Sequence, residues 1–186
     1  INIMGCNNGP VILSDNLAFG FDPRNTSLSS YQSVFRDVIA TATGATVTGT
    51  GTTYGLNLSA ASDVLNFSTF AALNLSTALT VMGWCYPVSF GGGSAGRIFD
   101  KFKTTIPQSG YALWIDNGTG VNSISYGTGL SITTNVCRLN NQVSLNTWQH
   151  FAAVHSGSTV TFYKNGASIG SSGSMTLPVN SSSISA

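Results

Sequence analysis

The sequence contains no glutamate and little charge of either sign. Only 7% of its 186 residues are charged and the net charge is +1, against roughly 25% charged residues in an ordinary soluble domain. The seven basic residues are scattered, so the chain lacks the basic patch that nucleic-acid binding requires. Serine, threonine, asparagine and glycine supply the polarity instead, which favours contact with other subunits or with neutral polar ligands such as sugars.

Cysteines are few, and long apolar runs are missing. The three cysteines, Cys6, Cys85 and Cys137, have no spacing typical of a zinc site. Cys85 lies in an apolar strand and is predicted to be a buried thiol, while one disulfide remains an alternative. No apolar run approaches the roughly 18 residues of a membrane span, and no signal peptide is recognisable. The sequence begins at Ile1, which is compatible with a processed or partial product.

Helical periodicity is also nearly absent, and β-branched and aromatic residues alternate with short Gly, Asn and Ser stretches. Many short strands at this spacing predict an all-β sandwich or barrel. The segment TATGATVTGTGTTYG has low complexity and is predicted to be a loop or an edge strand with weak register. We predict strands at about 17–22, 45–50, 63–67, 78–86, 97–103, 111–116, 121–126, 130–137, 148–155 and 159–164.

Two of these strands carry further information. Asn165-Gly166 follows TVTFYK and predicts a tight hairpin of the I′ type. In the strand at 78–86, Leu79 and Val81 fall on one face and Met82 and Trp84 on the other. Both faces are apolar, which predicts a central strand covered on both sides, by the opposing sheet on one face and by a loop, a partner subunit or a ligand on the other.

Several segments resemble the concanavalin A-like, laminin-G-like jelly rolls. They are LTVMGWCYPVSF, GRIFDKF with GYALWID, and LNTWQHFAAVHSGSTVTFYKNGASIG. Upstream, NLAFGFDPRNTSLSS with FRDV resembles the opening of such domains in bacteriophage structural proteins and bacterial surface proteins. The resemblance implies an antiparallel two-sheet jelly-roll sandwich over residues 16–186, preceded by an N-terminal extension over residues 1–15. The resemblance is a poor guide to function, because this fold occurs in lectins, hydrolases and structural modules.

The end of the chain departs from that family. The segment that normally follows the YKNG hairpin and closes the sandwich is missing before Ala186. We therefore expect a jelly roll that lacks its closing C-terminal strand, and an unpaired sheet edge invites another chain. Either the polypeptide continues beyond Ala186, which is the plainer explanation, or a neighbouring subunit supplies the strand.

Catalytic motifs are not found. Glycosidases of this fold use two glutamates on one strand, and this chain has no glutamate, so we predict that it is not an enzyme. GGSAG matches G-x-S-x-G, but strands flank it, where a nucleophile elbow needs a following helix. His150 and His155 stand at odd spacing on one predicted strand, so they point to opposite faces and cannot share a metal from a regular strand.

A carbohydrate site would need an aromatic platform beside hydrogen-bonding groups. Trp114 is a candidate to stack on a pyranose, with Asp116 and Asn117 binding hydroxyls and Tyr111 and Tyr126 nearby. The alternative, which the sequence favours, is that Tyr111 and Trp114 are ordinary sandwich residues.

The resemblance also bears on metals and on the other tryptophans. Some relatives bind calcium through loop aspartates, and here Asp22, Asp100 and Asp116 are weak candidates; otherwise no cofactor is expected. Trp84 and Trp148 match tryptophans that are structural in the family, so both are predicted to pack inside.

These observations predict a non-catalytic structural or interaction module. The first hypothesis is a bacteriophage virion component, such as a capsid decoration, fibre or tail protein. It would dock to other virion subunits or form a homo-oligomer, with a possible glycan contact on its outward side. The alternative is a secreted or surface-anchored bacterial lectin module. Neither hypothesis involves nucleic acid or a membrane span.

Overall fold

The computed structural model describes residues 19–27, 30–33, 39–49, 55–67, 73–75, 78–103, 109–129, 135–172 and 174–176. Within these ranges there is no α-helix, and hence no helix that is long and apolar enough to cross a membrane. The strands are β1 (Phe21–Ser27), β2 (Ser30–Ser33), β3 (Ile39–Thr43), β4 (Thr46–Thr48), β5 (Gly55–Asn57), β6 (Val64–Phe67), β7 (Leu79–Cys85), β8 (Ala95–Lys103), β9 (Ser109–Asp116), β10 (Ser123–Thr128), β11 (Val136–Leu139), β12 (Gln149–Ser156), β13 (Thr159–Lys164) and β14 (Ala167–Ser172).

Two four-stranded antiparallel sheets enclose the core. The first sheet has the order β14-β13-β12-β7 and the second has the order β11-β10-β9-β8. Their facing residues form one apolar cluster, which confirms the predicted all-β, two-sheet sandwich. The fully buried members of that cluster include Leu113, Ile124, Tyr126, Phe151, Ala153, Val160 and Phe162. Strands β1, β2, β3 and β6 form a further four-stranded sheet, and β4 pairs with β5.

Strand β12 shows how side-chain alternation builds this core. Phe151, Ala153 and His155 point inward and are fully buried, whereas His150 lies on the opposite face and is half-buried. Nδ1 of His155 lies 3.2 Å from the Tyr126 hydroxyl of the second sheet, so a polar contact also joins the two layers. The prediction that the two histidines face opposite ways is confirmed.

The hairpin between β13 and β14 is the predicted one. Lys164 pairs with Ala167, and the two residues between them, Asn165 and Gly166, have φ values of 50° and 83°. Positive φ at both central positions defines the I′ turn, whose twist matches that of the flanking strands.

The prediction for the strand at 78–86 is wrong in one respect. Among the described strands, β7 pairs only with β12, so it lies at the edge of the first sheet. Leu79 and Val81 are buried against the second sheet, but Met82 is 57% and Trp84 is 66% exposed. The second sheet covers the inner face of β7, whereas its outer side chains Met82 and Trp84 remain more than half exposed.

Other differences concern the N-terminal part and the strand ends. The strand predicted at 17–22 lies at Phe21–Ser27, and β2, β3 and β5 were not predicted. The low-complexity segment includes β4, which pairs with β5 in a two-stranded ribbon. Most of the strand predicted at 130–137 falls outside the described residues, which contain only its end, in β11.

After β14 the chain returns to the second sheet. Met175 is buried in the core, and its amide donates to the carbonyl of Ser158 at 2.9 Å. The hydroxyl of Thr128 donates to the carbonyl of Thr176 at 2.8 Å. The prediction of a missing closing strand concerns residues 177–186, which lie outside the described residues, as does the predicted domain boundary at residue 16.

Replacing Phe162 by alanine should lower the free energy of unfolding by about 3–5 kcal/mol, because it removes a fully buried ring from the core. The adjacent Tyr163→Ala variant is the control, since Tyr163 is only half-buried on the opposite face, and it should cost roughly 1–2 kcal/mol. Urea unfolding followed by tryptophan fluorescence measures both. Equal losses in the two variants would contradict the assigned alternation of β13.

Candidate functional site

The aromatic platform predicted around Trp114 is not at the surface. Trp114 is only 4% exposed, and the guanidinium carbon of Arg97 lies 4.8 Å from its ring centroid. A Cβ built on Gly127 would come within 3.0 Å of the ring, so this glycine allows the indole to lie against β10. The ring has no open face for a pyranose, and the packing alternative stated for Trp114 is the one that the structure supports.

The two tyrosines of that predicted site are buried as well. The hydroxyl of Tyr111 donates to the carbonyl of Leu73 at 3.1 Å, and the hydroxyl of Tyr126 contacts His155. Burial raises the pKa of both phenols. They are core residues whose polar ends are satisfied internally, so neither presents a ring face or a free hydroxyl at the surface.

Asp116 and Asn117 hold the turn between β9 and β10. The Asp116 carboxylate accepts from the amide of Gly118 at 2.8 Å and from the hydroxyl of Thr119 at 2.7 Å, and it pairs with Arg138 at 3.1 Å. The side-chain oxygen of Asn117 accepts from the amide of Asn122 at 3.2 Å. Burial alone would raise the pKa of Asp116, but these hydrogen bonds and the Arg138 charge bring it below its usual value. Asp116 therefore serves the turn and has no oxygen left open for a ligand.

The calcium candidates do not converge. Asp100 pairs in register with Ala112, four positions before Asp116 on β9, so the backbone positions of the two aspartates are about 13 Å apart along the sheet. Asp100 is paired with Arg97 at 3.3 Å, and the side chain of Asp22 is outside the described residues. In the ranges that the structure describes, no group of three His, Cys, Asp or Glu side chains is arranged to hold a metal ion.

A different surface has the properties of a binding site. The outer face of the first sheet carries five large side chains at its β7 edge, and we call this group the aromatic face. Its rings form two contacts: Trp84 with His150 at 5.3 Å and Tyr86 with Trp148 at 5.7 Å between centroids. The members of the aromatic face are Met82, Trp84, Tyr86, Trp148 and His150.

Cross-strand register explains the first of the two ring contacts, between Trp84 and His150. His150 of β12 pairs directly with Trp84 of β7, and Met82 pairs with Ala152. Directly opposed residues on one face of an antiparallel pair bring their Cβ atoms to about 4.5–5.5 Å, which is contact distance for rings. The register that buries Phe151 inside the sandwich thus sets His150 beside Trp84 outside it.

A buried glutamine, Gln149, helps to position the second ring contact, between Tyr86 and Trp148. The Gln149 side chain accepts from the amide of Ser144 at 2.9 Å and donates to the carbonyl of the same residue at 2.6 Å. The amide of Asn146 donates to the carbonyl of Pro87 at 2.8 Å. These bonds tie the loop before β12 to the chain that leaves β7, so Trp148 is held beside Tyr86.

The aromatic face is electrically neutral. The sequence has no charged residue between Asp63 and Arg97, or between Arg138 and Lys164. His150 is the only member that titrates near neutrality, and its partial burial lowers its pKa, so it is uncharged at pH 7. The five members of the aromatic face therefore carry no ionic charge at pH 7.

The prediction that Trp84 and Trp148 pack inside is wrong, because they are 66% and 51% exposed. Two sequence signals mark this surface: the charge-free stretches, and the repetition of large rings at alternate positions 84, 86, 148 and 150. Neither signal says which face of β7 the second sheet covers, and this is the information that the structure supplies.

Reactive groups are not concentrated at this face. Cys85 is partly buried and Cys137 buried, neither forms a disulfide, and burial raises their pKa to about 11 and about 12. Ser94 of the GGSAG segment ends a short 3-10 turn that leads into a strand rather than a helix. The elbow geometry of a hydrolase nucleophile is therefore not present at Ser94.

Comparison with known protein families gives one match. Residues 59–185, about two thirds of the chain, match a laminin G-type family model described as the concanavalin A-like lectin/glucanases superfamily. The matched range includes β7 to β14, and therefore both sheets of the sandwich and the whole aromatic face. A search of curated proteins found no match.

The Asp116→Asn variant should lose about 1–3 kcal/mol of stability at pH 7, because it leaves Arg138 without its charged partner. The pKa of Asp116 is lower in the folded state than in the unfolded state, where it is about 3.9. The carboxylate therefore contributes its full share of the free energy of unfolding at pH values above the unfolded pKa. This contribution is lost as the pH falls through the folded pKa. Urea unfolding at pH 7 and pH 3 should show a difference between wild type and variant that shrinks in acid; a constant difference would refute the assignment.

Proposed function

Because the chain belongs to the concanavalin A-like lectin/glucanases superfamily, we propose that it is a non-catalytic carbohydrate-binding module. Its binding surface is the aromatic face, and its ligand is a neutral glycan. The observation that carries the proposal is that two tryptophans, Trp84 and Trp148, are more than half exposed. Each packs against one neighbouring ring, Trp84 against His150 and Trp148 against Tyr86.

The chemistry of the surface favours a sugar over a charged ligand. Indole and phenol rings offer flat apolar surfaces that match the C–H faces of pyranose rings, and their polar ends reach water. His150, neutral at pH 7, offers both a donor and an acceptor to hydroxyl groups. The aromatic face has no cation of its own to attract a phosphate or a carboxylate. A contiguous exposed apolar patch with a polar rim is itself typical of a recognition surface.

The distribution of acids supports binding without hydrolysis. Glycoside cleavage requires two carboxyl groups about 5–9.5 Å apart. Asp100 and Asp116 are each paired with a different arginine, Arg97 and Arg138, and the two aspartates stand at backbone positions about 13 Å apart. The aromatic face itself has no carboxylate.

Glycan arrays followed by calorimetry with the best neutral polysaccharide test the proposal. Wild type should bind saturably, and Trp84→Ala and Trp148→Ala should each weaken binding at least tenfold, or about 1.4 kcal/mol. Val121→Ala is the matched control, because Val121 is 58% exposed in the loop before β10, away from the aromatic face, and it should bind as wild type does. Absence of saturable binding to any neutral glycan, or equal affinity in all variants, would refute the proposal.

A second proposal concerns the setting in which the module works. The opening NLAFGFDPRNTSLSS with FRDV resembles that of domains in bacteriophage structural proteins, and it supports a role as a virion component that docks to neighbouring subunits. The neutral Ser, Thr and Asn content supports the same role. A secreted or surface-anchored bacterial lectin is the alternative setting.

Mass spectrometry of fractions from a producing culture separates these settings. A virion component should give peptides of this chain in gradient-purified particles, in a fixed ratio to the other particle proteins. Peptides found only in the cell-wall fraction or the culture supernatant would contradict the virion role and favour the bacterial lectin.

A further inference from the structure

The turn residue Asn165 makes two hydrogen bonds to one member of the aromatic face. Its amide donates to the carbonyl of His150 at 2.9 Å, and its side-chain oxygen accepts from the amide of His150 at 2.9 Å. The regular pairing of β12 with β13 ends one residue earlier, at Phe151 and Lys164. The two bonds therefore extend the pairing of these strands by one residue, into the I′ turn.

The side chain of Asn165 takes the place that a backbone carbonyl has in a regular ladder. Two residues that form a hydrogen-bonded pair in an antiparallel sheet exchange both N–H···O bonds through their backbones. Here the first bond is of that kind. Asn165 has a φ of 50° because it belongs to the turn, and the second bond ends on its side-chain oxygen. The amide of His150 thus has a side chain as its partner.

The same geometry decides how His150 meets Trp84. The N–H and C=O groups of one strand residue point to the same neighbouring strand, and those of His150 both point to Asn165. The pair that His150 forms with Trp84 on the β7 side is therefore a non-hydrogen-bonded pair. In such a pair the Cα atoms are about 4.5 Å apart and the side chains come closest. The rings meet on one side of β12, while the backbone of His150 is held from the other.

We propose that Asn165 is a positioning residue of the aromatic face, which sets the His150 imidazole beside Trp84 by holding the backbone amide of His150. The centroids of the two rings are 5.3 Å apart and their planes are inclined at 58°. Without this acceptor the start of β12 is free to move, and the imidazole loses its fixed place against the indole. The consequence for glycan affinity rests on the proposed function, whereas the effect on His150 itself does not.

Two requirements at position 165 explain why this residue is asparagine. The I′ turn needs a residue that accepts a positive φ, as glycine, asparagine and aspartate do. The amide of His150 needs an acceptor, which glycine lacks. Asparagine and aspartate meet both requirements, but aspartate adds a charge next to His150. Asn165→Gly therefore keeps the turn and removes the acceptor, whereas Asn165→Asp keeps both.

Hydrogen exchange measured by NMR on the full, ligand-free chain tests the positioning role. In Asn165→Gly the His150 amide should exchange about fivefold faster or more than in wild type, because it loses its acceptor. The Ala152 amide is the internal reference, since it faces β13 in the same way but lies opposite the backbone of Tyr163; its exchange should change less than about twofold. In Asn165→Asp the His150 amide should exchange no faster than in wild type. Cross-peaks between the Trp84 and His150 rings should weaken only in Asn165→Gly.

Calorimetry with the best neutral polysaccharide measures the consequence for binding. Asn165→Gly should weaken binding roughly three- to tenfold, and Asn165→Asp should bind within about twofold of wild type. Asn141→Gly is the matched control, because Asn141 is exposed and has a φ of 59°. Its amide donates to the carbonyl of Val121, away from the aromatic face, so this variant should bind as wild type does.

The exchange data separate this inference from the proposed function. Faster exchange of the His150 amide in Asn165→Gly, in a chain that binds no neutral glycan, would support the positioning role and refute the proposed function alone. An unchanged His150 amide in Asn165→Gly would overturn the inference. Equal acceleration at His150 and Ala152 would also overturn it, because it would show a general loss of stability. So would an Asn165→Asp variant whose His150 amide exchanges as fast as in Asn165→Gly.

Discussion

The pairing of β12 with β7 is the contact on which both the core and the surface of this sandwich depend. One register places Phe151 and Ala153 inside the sandwich and His150 beside Trp84 outside it. Because side chains alternate with a period of two, a slip of one residue would expose the core residues and bury the rings of the aromatic face. The same hydrogen bonds that stabilise the fold therefore fix the geometry of the candidate binding surface.

Two buried polar side chains, Gln149 and Asp116, hold loops of this chain in place. Gln149 holds the loop that presents Trp148, and Asp116 with Arg138 holds the turn between β9 and β10. Burying a polar group is costly unless its hydrogen bonds are made, and each of these side chains makes two or more.

The sequence predicted the fold better than the site, and the physical reason differs between the two. The I′ hairpin at Asn165 follows from local backbone preference, and the strands around Phe151 follow from alternation, so both could be read from the residues. The exposure of Trp84 depends on what packs above it, and an apolar residue on an apolar strand has the same pattern whether it is covered or not. Trp114 shows the converse case, since a tryptophan beside a polar turn predicts a surface ring, but Arg97 and the space left by Gly127 allow it to be buried.

The exposed large side chains at β7 contribute little to the stability of the isolated chain, so their presence needs another explanation. A side chain that packs the core lowers stability when it is truncated, because the cavity remains. Trp84, Trp148 and Met82 are each more than half exposed and lie outside the buried cluster, so their truncation leaves no comparable cavity. In the isolated chain these residues only add apolar surface to water, which costs about 25 cal/mol per Å² relative to burial. Binding of a ligand on the aromatic face, as proposed above, would remove this surface from water.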